Sequence, residues 1–84
     1  MVYFAQFIHE DGREAVGTDG ACIMKRADGG EYATFQNALN QWRGVIIERL
    51  KNKKFKSVKF YQYSNSDRYD EKKWKELTTW KNII

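Results

Sequence analysis

The stretch "TFQNALNQWRGVIIERLKN", residues 34–52, decides the fold class. Apolar side chains recur at Phe35, Ala38, Leu39, Trp42, Val45, Ile46 and Leu50, in steps of three and four. Those steps lay one stripe along an α-helix. Thr34 stands where an N-cap hydroxyl accepts from an orphan amide of the first turn. The helix is expected to fray around Asn52, where lysines suit the negative end of its dipole. The stripe around Trp42 is the expected centre of the core, each fully buried aliphatic or aromatic side chain contributing roughly 1.5–3 kcal/mol.

Upstream of the helix the period is different. "VYFAQFIH" (2–9) is rich in aromatic and branched residues and runs into Asp11-Gly12, a dipeptide suited to a tight hairpin turn. A second strand is expected from near Glu14, interrupted by "GTDG" (17–20) as either a turn or a bulge. "ACIMKR" (21–26) resumes the extended pattern and "ADGG" (27–30) turns again. Three Asp-Gly pairs between residues 11 and 29 point to an antiparallel meander.

Downstream, "FKSVKFYQYS" (55–64) reads as a strand returning to the sheet. "SDRYDEKKWKELTTWKNII" (66–84) reads as a second helix: Asp67 or Asp70 can cap it, Glu71 and Lys75 are spaced i, i+4, and Trp74, Leu77, Trp80 or Lys81, and Ile84 make a weak stripe. The expected fold class is therefore α+β. An antiparallel meander sheet of three to five strands carries one long amphipathic helix across a face and a short C-terminal helix at an edge.

The 84 residues make a single compact domain, 1–84, with no proline and no low-complexity linker. No signal-peptide pattern opens the chain and no run of eighteen apolar residues exists, so neither secretion nor a membrane partner is expected. Cys22 is the only cysteine, which precludes an intramolecular disulfide and fits a reducing, cytoplasmic setting.

The net charge of +4 is unevenly spread. Residues 1–48 carry four basic and seven acidic side chains (−3), whereas residues 49–84 carry eleven basic and four acidic (+7). Arg49, Lys51, Lys53, Lys54, Lys56 and Lys59 lie in a stretch without an acid, so one side of the molecule should attract anions. In the strand that follows, Val58 and Phe60 share one face, and Lys59, Tyr61 and Tyr63 the other. Placed beside Tyr3, Phe7 and His9 of the first strand, those tyrosines would form an aromatic platform edged with lysine, as single-stranded nucleic acid requires. The same pattern also suits an ordinary half-wet sheet surface.

A second candidate surface is the outer side of the long helix. Gln36, Asn37, Asn40, Gln41 and Arg43 replace the Glu and Lys of a plainly solvated face. Gly44 costs about 1 kcal/mol relative to alanine, so it implies close approach of another backbone, the protein's own sheet or a partner. Ile47 lies off the main apolar stripe and, if exposed, marks a partner contact.

Catalytic patterns are sparse. With one histidine and one cysteine, no Cys/His metal cluster can be built in one chain, and no metal or cofactor is expected. Cys22 with His9, and His9-Glu10-Asp11, are the conceivable catalytic groupings; the first reads better as a buried small hydrophobe and the second as a turn. The glycine-rich segments match no phosphate-binding loop. The leading expectation is a non-enzymatic binding protein that engages nucleic acid or a nucleoprotein through Arg49–Tyr63. The alternative is an inhibitor or adaptor of a nucleic-acid-processing enzyme, using Gln36, Asn40, Arg43 and Ile47 and not contacting nucleic acid itself. A phage or mobile-element origin is compatible with either, and oligomeric state is not legible.

Overall fold

Helix α1 (Phe35–Asn52) begins where its cap residue requires: Thr34 is extended, and its hydroxyl accepts from the Asn37 amide at 3.1 Å. The computed structural model describes residues 1–81. Before α1 come strands β1 (Val2–Ile8) and β2 (Ala21–Ile23); after it come β3 (Ser57–Tyr63) and β4 (Lys75–Lys81). Single 3-10 turns at Asn65–Asp67 and Glu71–Lys73 bridge the last two strands. All pairings are antiparallel, in the order β2-β1-β3-β4. The α+β class is as expected.

Two details differ from the sequence reading. The chain is not a simple meander, because α1 carries it across the sheet and sets β3 on the far side of β1 from β2. The C-terminal helix is absent among the described residues, where Lys75–Lys81 is a strand. Without β4, the outer edge of β3 would leave a row of amides and carbonyls unpaired. "KELTTWK" meets that need with two adjacent threonines and a tryptophan, residues that favour strands. Trp80 pairs with Val58 and sets its ring edge-on to Phe60 at 5.3 Å. The bulge at Phe60/Tyr61 shifts the register, so Thr78 lies opposite Phe60 and Glu76 opposite Tyr61. Ile84, the last member of the expected helical stripe, lies outside the described residues.

The β1–β3 register fixes the two faces of the sheet. Ala5 stands opposite Phe60 and Phe7 opposite Val58, and all four are fully buried beneath α1 with Tyr3, Met24, Ile46 and Leu50. Ile46, rather than Trp42, is the fully buried centre of the helix face. Trp42 sits half-buried at its margin, donating its indole N–H to the Lys25 carbonyl, and Val45 is exposed.

The expected strand near Glu14 is reduced to one bridge with Ile8, and residues 9–20 form a loop folded against β1. Gln6 holds that loop. Its Nε2 donates to the carbonyls of Phe7, Ala15 and Gly20 at 3.0, 2.8 and 3.1 Å. Gly20 presses on the same loop: a Cβ there would stand 2.5 Å from the Ala15 Cβ and 2.7 Å from its carbonyl carbon. Backbone cannot yield as a flexible side chain does. Gly20→Ala is therefore expected to lower stability by about 1–3 kcal/mol. A denaturant midpoint equal to that of the wild type would refute this.

Candidate partner-binding surfaces

The basic segment does not form one surface with the tyrosines. Arg49 turns inward: its guanidinium donates to the Thr18 carbonyl at 3.3 Å and the Cys22 Sγ at 3.4 Å, with Cζ 5.9 Å from the Phe7 ring centroid. It ties α1 to β2 and the 9–20 loop. Lys53 lies 3.7 Å from the Asp19 carboxylate. Lys51, Lys53, Lys54 and Lys56 are exposed around the C-terminal end of α1 and the turn into β3. Lys54 supports that turn in a left-handed conformation, φ 55°. Lys59 is half-buried on the sheet face away from the helix, between Gln6 and Thr79.

The aromatic platform is composed differently from the sequence expectation. Tyr3 and Phe7 lie on the helix side of β1, because period-two alternation puts them with Ala5. The outer face instead carries Val2, Phe4, Gln6 and Ile8 opposite Tyr63, Tyr61, Lys59 and Ser57. Trp74, which the helical reading assigned to an apolar stripe, folds over this face. It stacks on Tyr63 at 4.3 Å with planes 10° apart and meets Phe4 and Tyr61 at 5.1 and 5.9 Å. Tyr63 is consequently buried, and Tyr61 is half-buried. The charge around Tyr61 is acidic. Burial chiefly, then Glu76, Glu14 and Glu71, push its phenol up from the ordinary tyrosine value. Burial also raises Tyr63, with Arg68 opposing.

Gln36, Asn40, Arg43 and Ile47 project as one stripe on the solvent side of α1, and Gln36 donates to Asn40 at 3.0 Å. Arg43 leans over Trp80, its Cζ 5.8 Å from the ring centroid, so the stripe runs on toward the exposed edge of β4. Ile47 is 38% exposed, high for a large aliphatic side chain. A Cβ built at Gly44 meets nothing within 4 Å among the described residues beyond its own helical turns. The protein's own sheet is not the reason for this glycine.

No family model, curated protein sequence or solved structure matches this chain.

Of the two catalytic groupings, His9, Glu10 and Asp11 stay together at one turn, where Asp11 pairs with Arg13 at 2.6 Å, whereas Cys22 lies apart from His9. Cys22 pairs with Ala5, four residues along the strand from His9, or about 13 Å at the usual strand rise. The His9 ring packs against Phe55 at 5.5 Å. Burial raises the Cys22 thiol from its ordinary value, with Arg49 opposing.

The two tyrosines generate a pH prediction. A phenol raised in the folded state binds its proton more tightly there than in the unfolded chain. Its contribution is therefore fully present below the ordinary tyrosine value, near pH 10, and is lost as pH rises from there through the higher folded-state value. The Tyr61→Phe/Tyr63→Phe variant should lose less stability than the wild type between about pH 9 and 11 in urea melts. Equal losses would mean that the phenols titrate alike in both states.

Proposed function

We propose that this protein is a non-enzymatic binding module of the cytoplasm, an inhibitor or adaptor that docks on a partner protein through the α1 stripe. Gln36, Asn40, Arg43 and Ile47 make the contact, and Lys51, Lys53, Lys54 and Lys56 steer it toward an acidic or nucleic-acid-handling partner. One observation carries this reading. Gly44 weakens the helix, yet its face meets open space, beside an exposed isoleucine and a row of amide side chains. A glycine in that position lets a partner's backbone approach the helix closely. Amide and guanidinium groups then supply adaptable hydrogen bonds around a small apolar anchor.

Direct binding of nucleic acid is the second reading, favoured by the four exposed lysines gathered at one end of the molecule. It ranks below the first because Tyr63 lies under Trp74 and Tyr61 faces carboxylates, an environment that repels phosphate.

The test uses the tagged chain as bait beside matched variants. Ile47→Asp and Arg43→Glu are expected to abolish recovery of the partner while costing no more than about 1–2 kcal/mol of stability, since Ile47 is partly covered and Arg43 gives up its contact with Trp80. Gly44→Ala should raise stability by about 0.5–1 kcal/mol, because alanine suits a helix interior better, and yet weaken the complex. Partner recovery unaffected by all three substitutions would remove the stripe from the interface. Anisotropy with labelled single-stranded and duplex oligonucleotides separates the second reading. Binding that falls about tenfold or more between low and moderate salt, and is lost with Lys54→Ala and Lys56→Ala, would promote it over the first.

A further inference from the structure

On the sheet face opposite α1, the outer aromatic cluster encloses a small cleft. Phe4, Tyr61 and Trp74 form its apolar walls, Gln6, Glu14 and Glu71 line the remainder, and its volume is about 160 Å³. Phe4 and Tyr61 meet Trp74 at interplanar angles of 53° and 57°, so the rings form walls at an angle rather than a closed stack. Trp74 is held firmly, with Tyr63 stacked on it and its indole N–H donating to the Asp67 carbonyl at 2.9 Å.

The charged groups that line the cleft are all carboxylates. Glu14 comes from the 9–20 loop, Glu71 from the second 3-10 turn, and Glu76 stands opposite Tyr61 on β4. None of the three is in an ion pair among the described residues. Gln6 is nine-tenths buried and spends its Nε2 hydrogens on three backbone carbonyls. No hydrogen bond to its Oε1 is made among the described residues, and because none of their buried side-chain oxygens lacks a partner, that atom is open to solvent; Gln6 lines the cleft. Lys59, on the same face, does not line it.

We infer that this cleft binds an arginine side chain of a partner polypeptide. Aromatic faces attract a cation through their quadrupole, and a planar guanidinium stacks on them while its N–H groups reach carboxylates and an amide oxygen. A free oxygen acceptor favours a group with N–H donors over a quaternary ammonium. The small volume suits the guanidinium and its adjoining methylenes, with the rest of the chain that carries it outside. The site is on the opposite face from the helix stripe and stands without it.

The probe is a blocked Gly-Arg-Gly tripeptide, with Gly-citrulline-Gly as the uncharged isostere, titrated into labelled protein and followed by nuclear magnetic resonance. The arginine peptide is expected to shift the Trp74 indole and Gln6 side-chain amide signals saturably, with a dissociation constant of about 1 mM or tighter. The citrulline peptide should leave them in place. Glu14→Gln/Glu71→Gln, at two exposed positions, should retain the wild-type spectrum elsewhere and weaken the arginine peptide about tenfold or more. Absence of saturable shifts, equal shifts with citrulline, or undiminished affinity in the double variant would each overturn the assignment.

Discussion

The pairing of β1 with β3 is the constraint on which the rest of the molecule depends. Once Phe7 meets Val58 and Ala5 meets Phe60, every side chain on the two central strands is assigned to a face. One face becomes the core under α1. The other receives Phe4, Gln6, Tyr61 and Tyr63, an apolar-aromatic surface that a solvent-facing sheet would not leave bare. The chain covers it by folding Trp74 down from the segment between β3 and β4, and by tying the 9–20 loop to Gln6. A one-residue slip would exchange the faces and leave both coverings without their partners.

The same arrangement separates charge that the sequence interleaves. Arg49 belongs to the interior side of α1 because its position on the helix aims it at Phe7 and Cys22. Lys51, Lys53, Lys54 and Lys56 cluster where the helix ends, while the carboxylates of Glu14, Glu71 and Glu76 gather around Tyr61 on the opposite face of the sheet. Two surfaces of opposite charge result.

Much of the fold was legible. The spacing of Phe35, Ala38, Leu39, Ile46 and Leu50 marks α1, Thr34 marks its start, and the alternation of Val58 and Phe60 marks β3. Alternation also split β1 correctly into two sets, but it could not say which set faces the helix. Tyr3 and Phe7 are as apolar as Phe4 and Ile8, so pattern alone does not choose. The last strand was misread because Trp74, Leu77 and Trp80 fit a helical stripe as well as a strand interrupted by a bulge. Long-range pairing with β3 decides that contest, and local propensity carries no record of it. The amide-rich helix stripe could be picked out because a glycine in a helix interior is anomalous on its own terms, although its exposure is seen only in the structure; the acidic cleft could not, because Phe4, Gln6, Glu14, Tyr61, Glu71 and Trp74 meet only through tertiary folding.

The crossing of α1 between β2 and β3 also governs how the chain reaches this state. Val2 pairs with Tyr63 and Ile8 with Ser57, so the two central strands close a loop containing most of the molecule. The entropy of closing it must be met before any core contact between the strands compensates. The capped helix, whose contacts are local, can form in microseconds or less, whereas the central pairing waits on a search over long sequence separations. Assembly of the sheet, rather than of the helix, is therefore the expected slow step. Substitutions at the Ala5–Phe60 and Phe7–Val58 positions are the ones that should slow it.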